Sequence, residues 1–343
     1  MKKETWKSVA NQHLDGHRWV LFDVDFSEEI SELRQKIRER MQRFGNECDC
    51  NDIDVSGYKD LSMLFYCPRH DDILLNFNGD ISKWDVSNCE TMHCMFYGHK
   101  KFNGDISNWN TKSLKDITGI FCFSNFNNDI SKWDVSNVEF LDQAFFGSKF
   151  NGDISNWDVS NCKSMFQVFA MSEFSGDISK WNTSKVENMA GMFFFIMNKK
   201  YNPNIENWDV SNVEDFDAFL SGCSGFKRDV SKWNVSKARN MHDMFCSTSI
   251  NCDLSNWNVS KVRNMRGMFA FSDFNGNISN WDVSNCKTME DMFKKSKFNG
   301  DISNWDVSKV RNMSGIFLDS DFRGDISKWN MTKVEKKECM FQI

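Results

Sequence analysis

The chain of 343 residues lacks most of the features on which functional assignments rest. It has no apolar run of the roughly 18 residues that cross a bilayer as a helix, so no membrane insertion is expected. The residues after Met1, among them Asn11, Gln12, His13, Asp15 and His17, never reach the apolar stretch of a secretory signal. An intracellular location is therefore expected, cytoplasmic or within an assembly such as a virion. Six histidines, at 13, 17, 70, 93, 99 and 242, are scattered, and there is no phosphate-cradling glycine loop, nucleophile elbow or metalloprotease helix. Neither catalysis nor a cofactor is expected. The formal charge of −6 and pI of about 5.6 give no global case for nucleic acid or an anionic membrane as partner. Prolines number two and tyrosines four, beside 13 tryptophans and 32 phenylalanines, a bias that one template copied many times produces.

That template is a repeat. Tryptophan recurs at 84, 109, 133, 157, 181, 208, 233, 257, 281, 305 and 329, in steps of 24 residues broken only by 25, 27 and 25. A degenerate copy precedes them, with Ile53-Asp54-Val55-Ser56 followed by Leu61, Leu64 and Phe65. The best-formed unit reads Phe298-Asn299-Gly300-Asp301-Ile302-Ser303-Asn304-Trp305-Asp306-Val307-Ser308-Lys309-Val310-Arg311-Asn312-Met313-Ser314-Gly315-Ile316-Phe317. Trp305 and Val307 alternate as in a short strand. Val310, Met313, Ile316 and Phe317 have the spacing of one helical face, with Ser308 as its N-cap. Ser136 with Glu139, Ser184 with Glu187 and Ser211 with Glu214 fit capping boxes. Glycines such as Gly276 and Gly300, two residues after the phenylalanine, suit a tight bend.

The expected fold is thus an α/β repeat solenoid of about twelve units over 51–343. A parallel strand ladder forms one face, and short helices or 3₁₀ turns the other. Residues 1–50 depart from the template, with an apolar stretch at 19–26 and a helix carrying Ile30, Leu33, Ile37, Met41 and Phe44, ended by Gly45. They read as an N-terminal cap or, alternatively, a recruitment module. Lys337, among Glu335, Lys336 and Glu338, reads as a polar C-terminal cap.

The unit Phe-Asn-Gly-Asp-Ile-Ser-x-Trp-Asp-Val-Ser-x-Val-x-x-Met resembles the repeat of the BspA-like leucine-rich-repeat surface proteins of bacteria, which has counterparts in protists and large DNA viruses. The resemblance covers about 51–343. It implies a leucine-rich-repeat-like coil with a role in protein interaction or adhesion, and no catalytic residues. Two functions follow, a non-enzymatic interaction or structural scaffold with a protein partner, and alternatively a surface-exposed adhesin.

Departures from the period mark the candidate sites. Six residues after each tryptophan, early copies carry Glu90, Glu139, Glu187 and Glu214 interrupted by Lys115 and Lys163. Later copies carry Arg239, Arg263, Lys287 and Arg311, reinforced by Lys237, Lys261 and Lys309. This basic stripe suits an acidic protein surface or a phosphate backbone; the alternative is a solvated edge. The longest step contains Phe194-Phe195-Ile196-Met197-Asn198-Lys199-Lys200, either a contact loop or core filling. A turn column that includes Asp105, Asp129, Asp153 and Asp177 suits calcium or backbone capping. Cys48, Cys50, Cys67 and His70 offer a weak zinc set. Cys89, Cys162 and Cys286, in place of valine, read as core thiols.

Overall fold

The computed structural model describes residues 26–67 and 72–341. The stretch 19–25 and His70 lie outside them. Successive repeats stack through eleven one-residue parallel bridges in a single column, from Asp60 through Thr91, Asp116 and Phe140 to Asn312 and Lys336.

No strand and no sheet forms among the described residues. The helical elements there are α1 (Glu28–Phe44) and a 3₁₀ turn (Ile73–Asn76). The expectation of an α/β solenoid with a strand ladder is therefore wrong, and local hydrogen bonding explains why. In 301–308 the Asp301 carboxylate accepts the Ser303 N–H (2.9 Å), Trp305 N–H donates to the Ile302 carbonyl (3.2 Å), and Asp306 accepts the Ser308 N–H (3.0 Å). Donors that a strand would offer its neighbour are consumed inside the turn. Ser136 likewise gives its hydroxyl to Asp134 (2.5 Å), and no helix follows it to be capped.

The half expected to be helical instead carries the stacking bonds. Met313, Gly315 and Phe317 donate to the carbonyls of Lys336, Glu338 and Met340 one repeat on (2.8, 2.9 and 3.1 Å). Between them, Ile316 and Leu318 close turns back to Met313 and Gly315 (3.2 and 2.9 Å). Alternate N–H groups thus join repeats and close turns, a pattern incompatible with continuous i→i−4 bonding. Such turns place two residues per repeat at positive φ, for instance Gly315 (65°) and Asp319 (57°). Gln143, Gln167, Asp243, Asp291, Met171, Phe195 and Phe271 accept the same conformation without being glycine. Each carries a strain of about 1 kcal/mol, offset by the bond its N–H donates to a carbonyl of the following repeat.

Each of the eleven tryptophans from Trp84 to Trp329 donates its Nε1–H to a carbonyl of the preceding turn, as from Trp305 to Ile278 (3.2 Å) and Trp281 to Leu254 (2.8 Å). Trp281 and Trp305 stack 6.2 Å apart at 2°, and Phe269 lies on Phe274 at 3.9 Å. Val310, Met313 and Ile316 are fully buried, as the apolar pattern requires, although no helix carries them.

Where glycine follows Phe-Asn, as at Gly276 and Gly300, it is needed for room, not for a left-handed bend, since its φ is ordinary. A β-carbon on Gly276 would stand 2.0 Å from the Cys252 carbonyl oxygen and 2.8 Å from the Phe274 ring. Gly276→Ala is expected to cost about 1–3 kcal/mol by forcing two repeats apart. Urea denaturation checks it, and an unchanged midpoint would count against the close contact.

Helix α1 begins at Ser27, whose hydroxyl accepts from Ile30 N–H (3.2 Å), and ends at Gly45 (φ 86°), whose N–H donates to Met41. Ile30, Leu33, Ile37 and Met41 join the core of Leu61, Leu64 and Phe65, whereas Phe44 is 59% exposed. Arg34 is buried under Phe26 and donates to the Met63 and Leu64 carbonyls (3.0 and 2.6 Å) and to Asp72 (3.2 Å). The Leu64 carbonyl occupies the position where later repeats accept a bond from the turn before. Residues 46–50 supply a partial earlier turn: Cys50 and Asp80 exchange bonds with Asp80 and Cys48 carbonyls, and Trp84 donates to the Cys50 carbonyl (2.9 Å).

Candidate interaction surfaces

Because every repeat has the same course, one sequence offset generates one file of side chains along the stack. The file fourteen residues after tryptophan runs through Phe123, Met171, Phe195 and Phe271, with glycine at 98, 147 and 222 and polar residues at Ser247, Lys295 and Asp319. Met171, Phe195 and Phe271 are 44%, 49% and 50% exposed. The glycines make room: a β-carbon on Gly147 would meet the Phe123 ring at 2.6 Å, and one on Gly222 the Phe195 ring at 3.1 Å. Beside this file Cys122, Phe146 and Ala170 form a small outer core, against which Tyr97, Phe123 and Phe194 pack, and rings 97, 123 and 146 meet edge to face. The surface is a row of aromatic and methionine side chains outside the main core. Of it, the sequence reading singled out only Phe194 and Phe195; the common offset from tryptophan was the available signal for the rest.

The 194–200 segment is more regular than its spacing implies. Phe194 and Phe195 sit in their ordinary files, and Ile196 is fully buried in the place of a serine. Met197, 59% exposed, donates its N–H to Ser172 as its equivalents do, so the added residues are Asn198, Lys199 and Lys200. Lys199 Nζ stands 5.3 Å from the Phe195 ring centre.

The charge file six residues after tryptophan is continuous. Each member's N–H donates to the carbonyl one repeat earlier, as from Arg263 to Arg239 (2.9 Å) and Lys287 to Arg263 (2.8 Å). In the early repeats neighbours pair: Lys59–Glu90 (3.6 Å), Lys115–Glu90 (2.6 Å) and Lys163–Glu139 (2.6 Å). In the later block Arg239 pairs outward with Glu214 (3.1 Å) and Arg311 with Glu335 (3.5 Å). Lys237 and Lys309 reach Asn212 and Asn285 in the parallel file two residues earlier, which also holds Lys261. All seven cations are exposed.

Other polar candidates are accounted for by structural contacts. The turn aspartates accept backbone N–H groups two residues on, as Asp105, Asp153 and Asp301 do from Ser107, Ser155 and Ser303, and these bonds hold their carboxyls below the usual range. Cys48 and Cys50 Sγ lie 3.7 Å apart in the core, and burial pushes the Cys50 and Cys67 thiols up to about 12, which disfavours the thiolates zinc would need. His242 bridges Asp217 (2.6 Å) and Asp243 (3.2 Å). Burial opposes its charge, but the two carboxylates outweigh burial and raise its pKa. His99 replaces the usual buried serine, accepting from Phe102 N–H (3.1 Å) at Nδ1 and donating from Nε2 to the Leu74 carbonyl (2.8 Å).

These files define a repeat protein whose regular turns display side chains in rows. The sequence matches, in five overlapping spans (36–148, 59–175, 118–198, 167–272 and 246–343), a family described as Mycoplasma protein of unknown function, DUF285. The chain belongs to that family. No curated protein and no solved structure matches it. Among the described residues no helix is long and apolar enough to cross a membrane.

Proposed function

We propose that this protein is a non-enzymatic interaction scaffold that binds a protein partner through its outer aromatic file. The observation that carries this reading is the alignment of Met171, Phe195 and Phe271, each about half exposed, on a regular stack that needs none of them for its main core. Exposed apolar rows of this kind mark contact surfaces, and aromatic and methionine side chains are enriched at the centres of interfaces. Titratable groups elsewhere serve the scaffold: His99 fills a backbone site, and the turn aspartates cap N–H groups. Twelve unpaired cysteines favour a reducing, intracellular compartment. The likeness of the repeat sequence to BspA-like proteins is consistent with an interaction role.

The test is capture of partners from the native source with full-length bait, beside the variant Phe195→Ser with Phe271→Ser. Both positions are exposed, so the melting temperature is expected to stay within a few degrees while a specific partner is lost by about tenfold or more. Retention of every partner by the double variant would remove the aromatic file from the mechanism.

A further inference from the structure

We propose that the double file of cations between Glu214 and Glu335 is a docking site for a short, extended acidic polypeptide segment. The site is separate from the aromatic file, so its test stands whether or not the aromatic reading survives.

The charge pattern is the first argument. From Lys59 to Lys163 the file alternates in sign, and adjacent repeats neutralise one another through ion pairs of 2.6–3.6 Å. The same backbone then carries four cations in succession, Arg239, Arg263, Lys287 and Arg311, joined N–H to carbonyl at 2.8–2.9 Å. Stacked at roughly 4.8 Å, like charges repel, and a file that needed only solubility gains nothing from abandoning alternation. Arg239 and Arg311 turn outward to the flanking glutamates, whereas Arg263 and Lys287 have no carboxylate within 4 Å among the described residues. Lys237, Lys261 and Lys309 run alongside, with Asn285 completing that file.

The geometry supplies the second argument. In the first repeats these two files line a shallow groove through Lys59, Asn88, Glu90, Lys112, Lys115 and Asn137. The later repeats continue the same two files, but where the early groove mixes three lysines with Glu90 and Glu139, the block from Lys237 to Arg311 places only cations and Asn285 there. Three repeat steps span about 14 Å, the length of roughly four residues of extended chain. Glu214 and Glu335 close both ends, and the chain as a whole carries a net charge of −6. A long polyanion following the groove would run onto acid at either side, whereas a short acidic segment fits between. Its carboxylates would meet guanidinium forks at Arg263 and the two end arginines, the strongest common carboxylate partners.

The experiment measures fluorescence anisotropy of a labelled hexaglutamate peptide titrated with the full chain at low salt, beside hexaglutamine and a short DNA duplex. Hexaglutamate is expected to bind, hexaglutamine is not, and affinity is expected to fall about tenfold or more at roughly 0.5 M salt. Arg263→Gln with Lys287→Gln, both exposed and outside the core, is expected to weaken binding about tenfold without changing the circular dichroism melt. Glu214→Gln, which frees Arg239, is expected to tighten it. The proposal is overturned if hexaglutamate fails to bind, if the double variant binds it unchanged, if Glu214→Gln weakens it, or if the duplex binds more tightly than the peptide.

Discussion

Trp281→Ala is expected to lower the free energy of unfolding by about 3–5 kcal/mol. The side chain is 3% exposed, stacks on Trp257 at 6.4 Å and Trp305 at 6.2 Å, and lies 6.1 Å from Phe269. Removing it opens a cavity shared by three repeats. It also strips the Leu254 carbonyl of its Nε1–H partner at 2.8 Å. In a stack stabilised by nearest-neighbour contacts, such damage weakens two interfaces at once. Denaturant unfolding followed by circular dichroism should therefore show a lower midpoint and, because the halves on either side become unequal, a broader transition. Trp281→Phe keeps most of the ring contact and loses the hydrogen bond, for an expected cost of about 1–3 kcal/mol. If phenylalanine proved as costly as alanine, ring stacking would have no measurable part in holding the repeats together.

Acidification through pH 6.5 to 4 is expected to remove about 3 kcal/mol through His99 alone. Burial lowers its pKa from 6.5 to about 4, because the ring is fully enclosed, and this outweighs the Leu74 carbonyl, which accepts from Nε2 and pulls the other way. A proton at Nδ1 would oppose a backbone donor with another donor. The unfolded chain takes up the proton near 6.5 and the folded chain only near 4. The contribution is therefore complete above pH 6.5 and lost as pH falls toward 4. Unfolding free energies at several pH values, measured on the wild type and on His99→Ser, test this. Serine is the residue that most other repeats use here, as at Ser124, whose hydroxyl accepts from Phe126 N–H (3.0 Å). The variant should show a shallower pH dependence over this interval, and parallel curves would rule out His99 as its source.

The sequence was informative about burial and much less so about backbone. The spacing of Val310, Met313, Ile316 and Phe317 predicts a shared interior face, and all four are buried. The same spacing was read as a helix because 3.6-residue periodicity is the usual way to place such residues together. Overlapping turns with alternating positive φ place them together equally well, and nothing in Met-Ser-Gly-Ile-Phe announces this. Only in three repeats does glycine mark the first left-handed position between 191 and 315; elsewhere alanine or aspartate stands there. The strand reading failed for a related reason. Trp305 and Val307 alternate correctly, but the flanking Asp301 and Asp306 capture the N–H groups that a ladder requires.

For the candidate surfaces, offsets within the repeat were legible and orientation was not. The sign change at Arg239 is visible in the bare sequence, and so is the step of 27 residues after Trp181. That Ile196 points inward while Phe195 faces solvent, or that Arg239 and Arg311 are engaged and Arg263 is not, depends on contacts between residues some 24 positions apart.

By itself the sequence determined the period, the number of tryptophan-marked turns and the residues that must be shielded from water, since these follow from composition and spacing. The tertiary structure decided how the backbone meets those demands. Hydrogen bonds between consecutive repeats compete with those inside each turn, and only the stacked chain reveals which partner each N–H group takes.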